Sequence, residues 1–417
     1  LKRIKVADAL RGFSLLGIFI ANLLIFQFDL TGQLYIDHFH LSPFNHGVFN
    51  IINILFVGSF MPIFAMLFGF SMDKLYQSMK RKGVKRPKLK LFRRAFFLMI
   101  IGGLHASYIW GGDILFGYGF SMLFVIPFIH MGKRAFKYFT LIIFGLLLVL
   151  FIVMPFSGDN GMQTTPSKHD TANYVSKITK IYSEGSYSDI RHVDETVEDP
   201  KFALFEDQLG SIFFLLIFIL IPLMEVPLFT LGVYLSKSGW FEKDALDWWS
   251  SKLWIWIIPL ALIGKSAVLW VQHPTIAENF TEVFGIILAF GYMSLFKYMY
   301  QKLPQHFTFR GLEHIGKMSL TFYLIQSVIG TMIFYGYGLG QFGSDHVTMM
   351  FGIFIILYYS LCSSSASCFL VSTSLAVWTN GISITYVYLL AITCRQEKTC
   401  ETSFLEKKFR PKLCIRL

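Results

Sequence analysis

The sequence predicts an all-α, polytopic integral membrane protein with about ten transmembrane helices. Three observations lead there. Of 417 residues, 54% are hydrophobic and 15% charged, whereas soluble domains carry roughly 25% charged residues. Apolar runs long enough to cross a bilayer recur along the chain. Lys and Arg gather in alternate loops, as the positive-inside rule requires.

The elements follow in order. Spans are expected at about 10–28, 50–72, 92–110, 113–131, 135–156, 210–235, 252–271, 280–300, 315–335 and 347–370. The stretch from Asp73 to Arg94 holds ten Lys and Arg. Such a loop stays in the cytoplasm, which puts the N-terminus there too, two spans earlier. Alternate loops repeat the pattern with Lys133, Arg134, Lys137, Lys237, Lys243, Lys252, Lys297, Lys302, Arg310 and Lys317. The opposite loops, 29–49, 111–112, 272–279 and 336–346, contain neither Lys nor Arg. The expected arrangement is therefore a multi-pass membrane protein with its N-terminus in the cytoplasm. The net charge of +11 follows from these loops and is no sign of a nucleic-acid partner; the surrounding partners are membrane lipids. The polar segment 157–208 falls outside and reads either as a solvated connector or as a lid over an outward-facing site.

The first span carries Asp8 and Arg11 at its mouth and Asn22 inside. Asp8 and Arg11, three apart, share a helix face, and Asn22 lies near it. A polar stripe on a spanning helix costs free energy in lipid, so it faces protein or a water-filled cavity. The opening Asp8-Ala9-Leu10-Arg11-Gly12 followed by Asn22 resembles the YeiB-like bacterial membrane proteins (domain of unknown function 418). Two further stretches carry the resemblance. One is Arg93-Arg94, Gly102-Gly103-Leu104-His105, Gly112-Asp113-Ile114-Leu115 and Tyr118. The other is Gly316-Lys317-Met318-Ser319-Leu320-Thr321-Phe322-Tyr323-Leu324-Ile325-Gln326-Ser327, in which Lys317 and Phe322 stand where the family has Arg and Asn. The likeness covers about residues 1–360. It implies kinship with transmembrane acyltransferases, hence transfer of an acyl group to a cell-envelope glycan or lipid-linked sugar, with acyl-CoA as donor.

The residues themselves allow that chemistry. Asp113 begins the fourth helix, where a carboxylate caps free amides. His105 lies about two turns below the Gly111-Gly112 turn, placed to be a general base or transient acyl carrier with Asp113 as its orienting partner. The bland alternative is a helix cap and an interhelical hydrogen bond. Arg11, Arg93 and Arg94 suit the phosphates of an acyl-CoA. Tyr323 and Gln326 share one face of the ninth span and either line a cavity or serve as interhelical glue. Asp8, Arg11, Asn22, His105, Asp113 and Gln326 are expected to border one cavity. Glu225, between Pro222 and Pro227, and Lys265 are intramembrane charges; mutual pairing or a polar cavity offsets their cost. They favour the alternative function, a small-molecule transporter without covalent chemistry. Asp37, His38, His40 and His46 in the first outside loop lack a second ligand cluster, so no metal is expected.

The tail stands apart. All five cysteines lie in the final 56 residues, and their spacings match no common zinc pattern. The resembled family closes with Gly-Pro-x-Glu-Trp-Leu-x-Arg-x-x-Thr-Tyr, which is absent here. Read one base out of frame, Trp378-Thr379 forces Gly, and the codons of Val377 to Leu390 allow the rest of that motif. Residues 1–370 are thus expected to form the transmembrane domain. Residues 371–417 are expected to be a frameshifted or disordered tail, against the alternative of a divergent one.

The topology has a direct test. A cysteine replacing Ser183 should react with an impermeant maleimide added to intact cells, and one replacing Gly83 should not; the reverse pattern inverts the orientation.

Overall fold

A computed structural model describes residues 4–157, 166–203, 223–242, 252–271 and 274–367. Residues 1–363 form one compact unit. The atypical tail expected at 371–417 lies outside the described residues. Among the described residues the structure is helical, without strands. Its apolar helices mark a membrane-associated protein.

The first helix, α1 (Lys5–Phe28), is largely apolar and is buried along almost its whole length, Asp8 and Asn22 of its polar stripe included, so the stripe faces protein. Two helices follow, α2 (Pro43–Leu55) and α3 (Phe60–Arg81), separated by a break at Gly58, whose φ of +67° suits glycine. Then come α4 (Pro87–Tyr108), α5 (Leu115–Val125) and α6 (Lys133–Ser157). Three helices of the polar segment follow: α7 (Lys168–Glu184), α8 (Tyr187–Arg191) and α9 (Val193–Thr196). The remaining helices are α10 (Val226–Ser238), α11 (Trp254–Lys265), α12 (Pro274–Lys302), α13 (Phe307–Lys317), α14 (Ser319–Phe334) and α15 (Val347–Ser367).

The count of ten spans is not carried by these lengths. Among the described residues, three segments are long and apolar enough to cross a membrane: α1, the broken rod 43–81 and residues 279–302 of α12. A fourth is added if α13 and α14 are counted together, although they meet at 90°. The expected span at 315–335 is therefore split at Met318. Those at 113–131 and 252–271 are short helices, each extended by a 3₁₀ turn. Half of the expected span 210–235, residues 210–222, lies outside the described residues.

Glycine decides how the helices meet. A Cβ on Gly12 of α1 would fall onto the Leu312 carbonyl of α13, and one on Gly316 of α13 onto the Asp8 carbonyl of α1. The same reciprocity joins α3 to α10: Gly69 faces the Phe229 carbonyl and Gly232 the Met66 carbonyl. Lipid tails are as apolar as leucine, so helix association depends on such close packing rather than on water exclusion. One end of this bundle gathers the basic turns. There Lys74 pairs with Glu242 at 2.7 Å, Lys237 donates to the Ile129 carbonyl at 2.9 Å and Lys297 to the Trp240 carbonyl at 2.8 Å.

Alanine at Gly232 or Gly316 should cost roughly 1–3 kcal/mol or more through overpacking, seen as a lower unfolding midpoint of the detergent-solubilised protein. Gly103→Ala, where a Cβ meets open space, should show no such fall.

Candidate functional site

Gly102 lets α4 approach the start of α5, since a Cβ there would strike the Phe116 amide and the Asp113 carboxylate. That approach brings His105 of α4 to Asp113. His105 Nδ1 and Asp113 Oδ1 lie 2.9 Å apart, with both side chains at most 2% exposed. The two atoms are in ion-pair distance but off the line of a hydrogen bond, and His105 Nε2 has no hydrogen-bond partner among the described residues. The other carboxylate oxygen of Asp113 accepts the Phe116 amide at 2.8 Å, so Asp113 caps α5 as well as facing His105. Tyr323 of α14 completes the group. Its hydroxyl accepts the Ile114 amide at 3.2 Å beside the Asp113 carboxyl, and its ring lies 5.4 Å from the imidazole. Buried polar atoms are nearly always satisfied, yet neither ring nitrogen of His105 nor Oδ1 of Asp113 has a hydrogen-bond partner among the described residues.

A second group lies toward the basic end. A cavity of about 220 Å³ is lined by Arg11, Ser71, Arg94, Lys317 and Ser319, among others. Arg11 donates to Asp8 at 3.0 Å, to the Gly316 carbonyl at 3.4 Å and to the Ser71 hydroxyl. Ser319 is the first residue of α14, so the free amides and positive dipole end of that helix face the same space. Cations, hydroxyls and a helix N-terminus together favour an anion. Arg94 and His105 are eleven residues apart on α4, about 16 Å along the axis. Ser319 and Tyr323 are one turn apart on α14.

The single cavity expected to border all six polar residues is thus two groups. Arg11 lines the basic cavity with Asp8 bonded to it, while His105 and Asp113 meet higher on α4. Gln326 donates weakly to the Leu15 carbonyl of α1 at 3.4 Å, the contact of interhelical glue, and Asn22 is buried on α1. Arg93 departs from its expected place: it lines an apolar groove with Phe92, Phe96, Phe97 and Leu123, apart from the Arg94 cavity. Successive residues diverge by about 100° around a helix. Glu225 and Lys265 form no ion pair with each other. The fully buried Lys265 donates instead to the Val57 carbonyl, freed by the α2–α3 break, and to the Ser59 hydroxyl at 3.1 Å. One carboxylate oxygen of Glu225, Oε2, has no hydrogen-bond partner among the described residues.

Sequence reasoning missed two residues. Lys317, read as a loop charge, lines the cavity. Asp73, read as the start of the basic loop, is fully buried; it pairs with Lys237 at 3.1 Å and accepts from Gln77 and Ser236, each at 2.5 Å. An acid opening a run of ten bases was the available signal. No cluster of three or more His, Cys, Asp or Glu suited to a metal occurs among the described residues.

The polar segment is a docked cap over the described range 166–203. Ser167 caps α7 by accepting the Asp170 amide at 3.1 Å. The inner face of α7, including Thr171, Tyr174, Val175 and Ile178, is buried. Tyr174 donates to Asp29 at 3.2 Å, Thr171 meets His38 Nε2 at 3.1 Å, and the Gly336 amide donates to the Tyr182 carbonyl at 2.7 Å. Tyr187 donates to the Tyr108 carbonyl at the end of α4, at 2.7 Å. A segment with this many fixed contacts is no solvated connector.

The fold and these groups define a helical, membrane-associated protein with a buried His–Asp contact and a basic cavity. The sequence model of a family described as "Protein of unknown function (DUF418)" matches residues 235–370. The uncharacterized protein YxaH of Bacillus subtilis (strain 168) is 27% identical over 355 residues, 82% of this chain and 84% of YxaH. The uncharacterized protein YeiB of Escherichia coli (strain K12) is 22% identical over 351 residues, 80% of this chain and 83% of YeiB. No solved structure matches. Over most of its length the chain is thus similar to YxaH and YeiB, and its residues 235–370 match the DUF418 model.

Burial raises the carboxyl pKa of Asp29 above its ordinary 3.8, against the lowering effect of its hydrogen bonds to the Leu30, Thr31 and Gly32 amides and to Tyr174. The folded cap therefore favours the protonated acid. That stabilisation is complete below the ordinary value and is lost as pH rises through the raised one. Hydrogen exchange in α7 should be slower at the acid side of this window than above it. Asp29→Asn should abolish the dependence; an unchanged pH profile in that variant would refute the assignment.

Proposed function

We propose that this protein is a membrane-embedded acyltransferase acting on a cell-envelope glycan or lipid-linked sugar, with an acyl-CoA as donor. The observation that carries the reading is the buried His105–Asp113 contact with His105 Nε2 left open. The kinship of the resembled family with transmembrane acyltransferases supports it.

The basic cavity suits the donor's phosphates: Arg94 and Lys317 bring positive charge, Ser71 and Ser319 hydroxyls, and the start of α14 its amides. When bound, the donor supplies an activated acyl thioester. His105 Nε2 takes the proton from the attacking acceptor hydroxyl and gives it to the departing sulfur, so the proton count closes. Asp113 holds the imidazole through Nδ1 and steadies its charged form. Tyr323, anchored by the Ile114 amide, fixes the position of Asp113. The dyad is closed to solvent, so an acceptor arriving from the cap side requires α7–α9 to part from the bundle, releasing Tyr187 from Tyr108 and Tyr174 from Asp29. This admits the acceptor at the end opposite the donor's charged seat.

A transporter without covalent chemistry is the second reading. Lys265 on a freed carbonyl at the α2–α3 break and the open oxygen of Glu225 favour it, because broken helices line the ion and substrate sites of transporters.

In membranes given labelled acyl-CoA and envelope extract, His105→Ala should lower transfer by about 10²–10⁴-fold, with CoA binding kept. Lys317→Gln should weaken CoA binding while leaving the His–Asp contact intact. Full transfer by His105→Ala removes the proposed base, and gradient-driven flux without acyl transfer selects the transporter.

A further inference from the structure

Arg93 is a charged motif residue that the proposed chemistry leaves unused. It has no ion pair or hydrogen bond among the described residues. It lines an open groove of about 580 Å³, whose other walls are Phe92, Phe96, Phe97 and Leu123. Phe96 and Phe97 are 61% and 64% exposed, and the same outward side of α4 continues through exposed Ile100, Leu104 and Tyr108. Such a surface belongs against hydrocarbon. The foot of the groove lies at the basic end of the bundle, where Lys88 of α4 is already held by the Pro127 carbonyl at 2.8 Å and by His130 at 3.1 Å. That leaves the Arg93 guanidinium as the uncommitted charge at the mouth of an apolar trough.

We propose that the α4–α5 groove is a binding site for an anionic phospholipid, with its headgroup phosphate on Arg93 and an acyl chain along Phe96, Phe97 and Leu123. The guanidinium offers a planar pair of donors that matches phosphate oxygens. An arginine at the hydrocarbon boundary gains a counter-ion and avoids the cost of an unpaired charge at the edge of the bilayer. Basic pockets between membrane helices bind anionic headgroups by this logic. The trough supplies what a free phosphate does not use, apolar contact along two turns of α4. The site is separate from the Arg94 cavity and does not depend on the acyl-transfer reading.

The test is native mass spectrometry of the full chain released from nanodiscs of equal phosphatidylglycerol and phosphatidylcholine. The wild type should retain phosphatidylglycerol in preference to phosphatidylcholine. Arg93→Gln should lower that preference by about fivefold, the worth of one arginine beside an anionic surface, and Arg93→Lys should restore much of it. Lys82→Gln, the loss of an exposed charge elsewhere at the basic end, should leave the preference unchanged. Millimolar glycerol phosphate should not displace the lipid. Phe97→Ala should shorten retention of long-chain lipid. The proposal is overturned if Arg93→Gln keeps the full preference, if Lys82→Gln loses it equally, or if glycerol phosphate competes as well as the lipid.

Discussion

Backbone meets backbone where α1 crosses α13, and the positions of the polar groups depend on that crossing. Gly12 and Gly316 remove the two side-chain stubs that would hold the helices apart. Their approach puts the Gly316 carbonyl within reach of the Arg11 guanidinium at 3.4 Å, while Asp8 steadies the same group at 3.0 Å from one turn earlier. The Tyr358 hydroxyl of α15 donates to the Gly12 carbonyl, closing a third helix onto the same point. Arg11 is thereby held at the cavity by groups on α3 and α13 as well as on its own helix. In a medium where apolar surface gains little from association, such contacts have to be made by shape.

The Asp–Leu–Arg–Gly opening thus combines two physical tasks. Its Asp and Arg are an i, i+3 pair on one face of α1, and its Gly is the point of contact with α13. The α4–α5 pair repeats the economy: Gly102 gives the approach, and Asp113 both caps α5 and faces His105. Small residues and charged residues recur together in these motifs because a buried charge needs its partner at contact distance, and only a glycine lets the partner helix come that near.

Much of this was legible in the sequence. Helical class followed from apolar runs and loop charge, the Asp8–Arg11 pair from spacing alone, and the meeting of His105 with Asp113 from a two-glycine turn between two helices. What periodicity reports is the face of one helix. It does not report which neighbour that face meets, so Arg93 and Arg94 looked equivalent although they point to different surroundings, and Lys265 was expected to meet Glu225 or a polar cavity rather than a backbone carbonyl. The freed carbonyl of Val57 exists only because the chain breaks at Gly58, and the bend at Met318 lies inside an unbroken apolar stretch. Breaks of that kind are invisible to hydropathy. The docking of α7 was hidden because a short amphipathic helix in a polar loop reads the same whether or not something lies beneath it.

The right-angle bend at Met318 gives the protein a lever. α13 is the fixed arm, locked to α1 through backbone contacts. α14 leaves it with Ser319 at the cavity and Tyr323 one turn further on, against Asp113. The residue that touches the cavity and the residue beside Asp113 therefore stand on one rigid turn of helix, so the angle at Met318 sets the position of both.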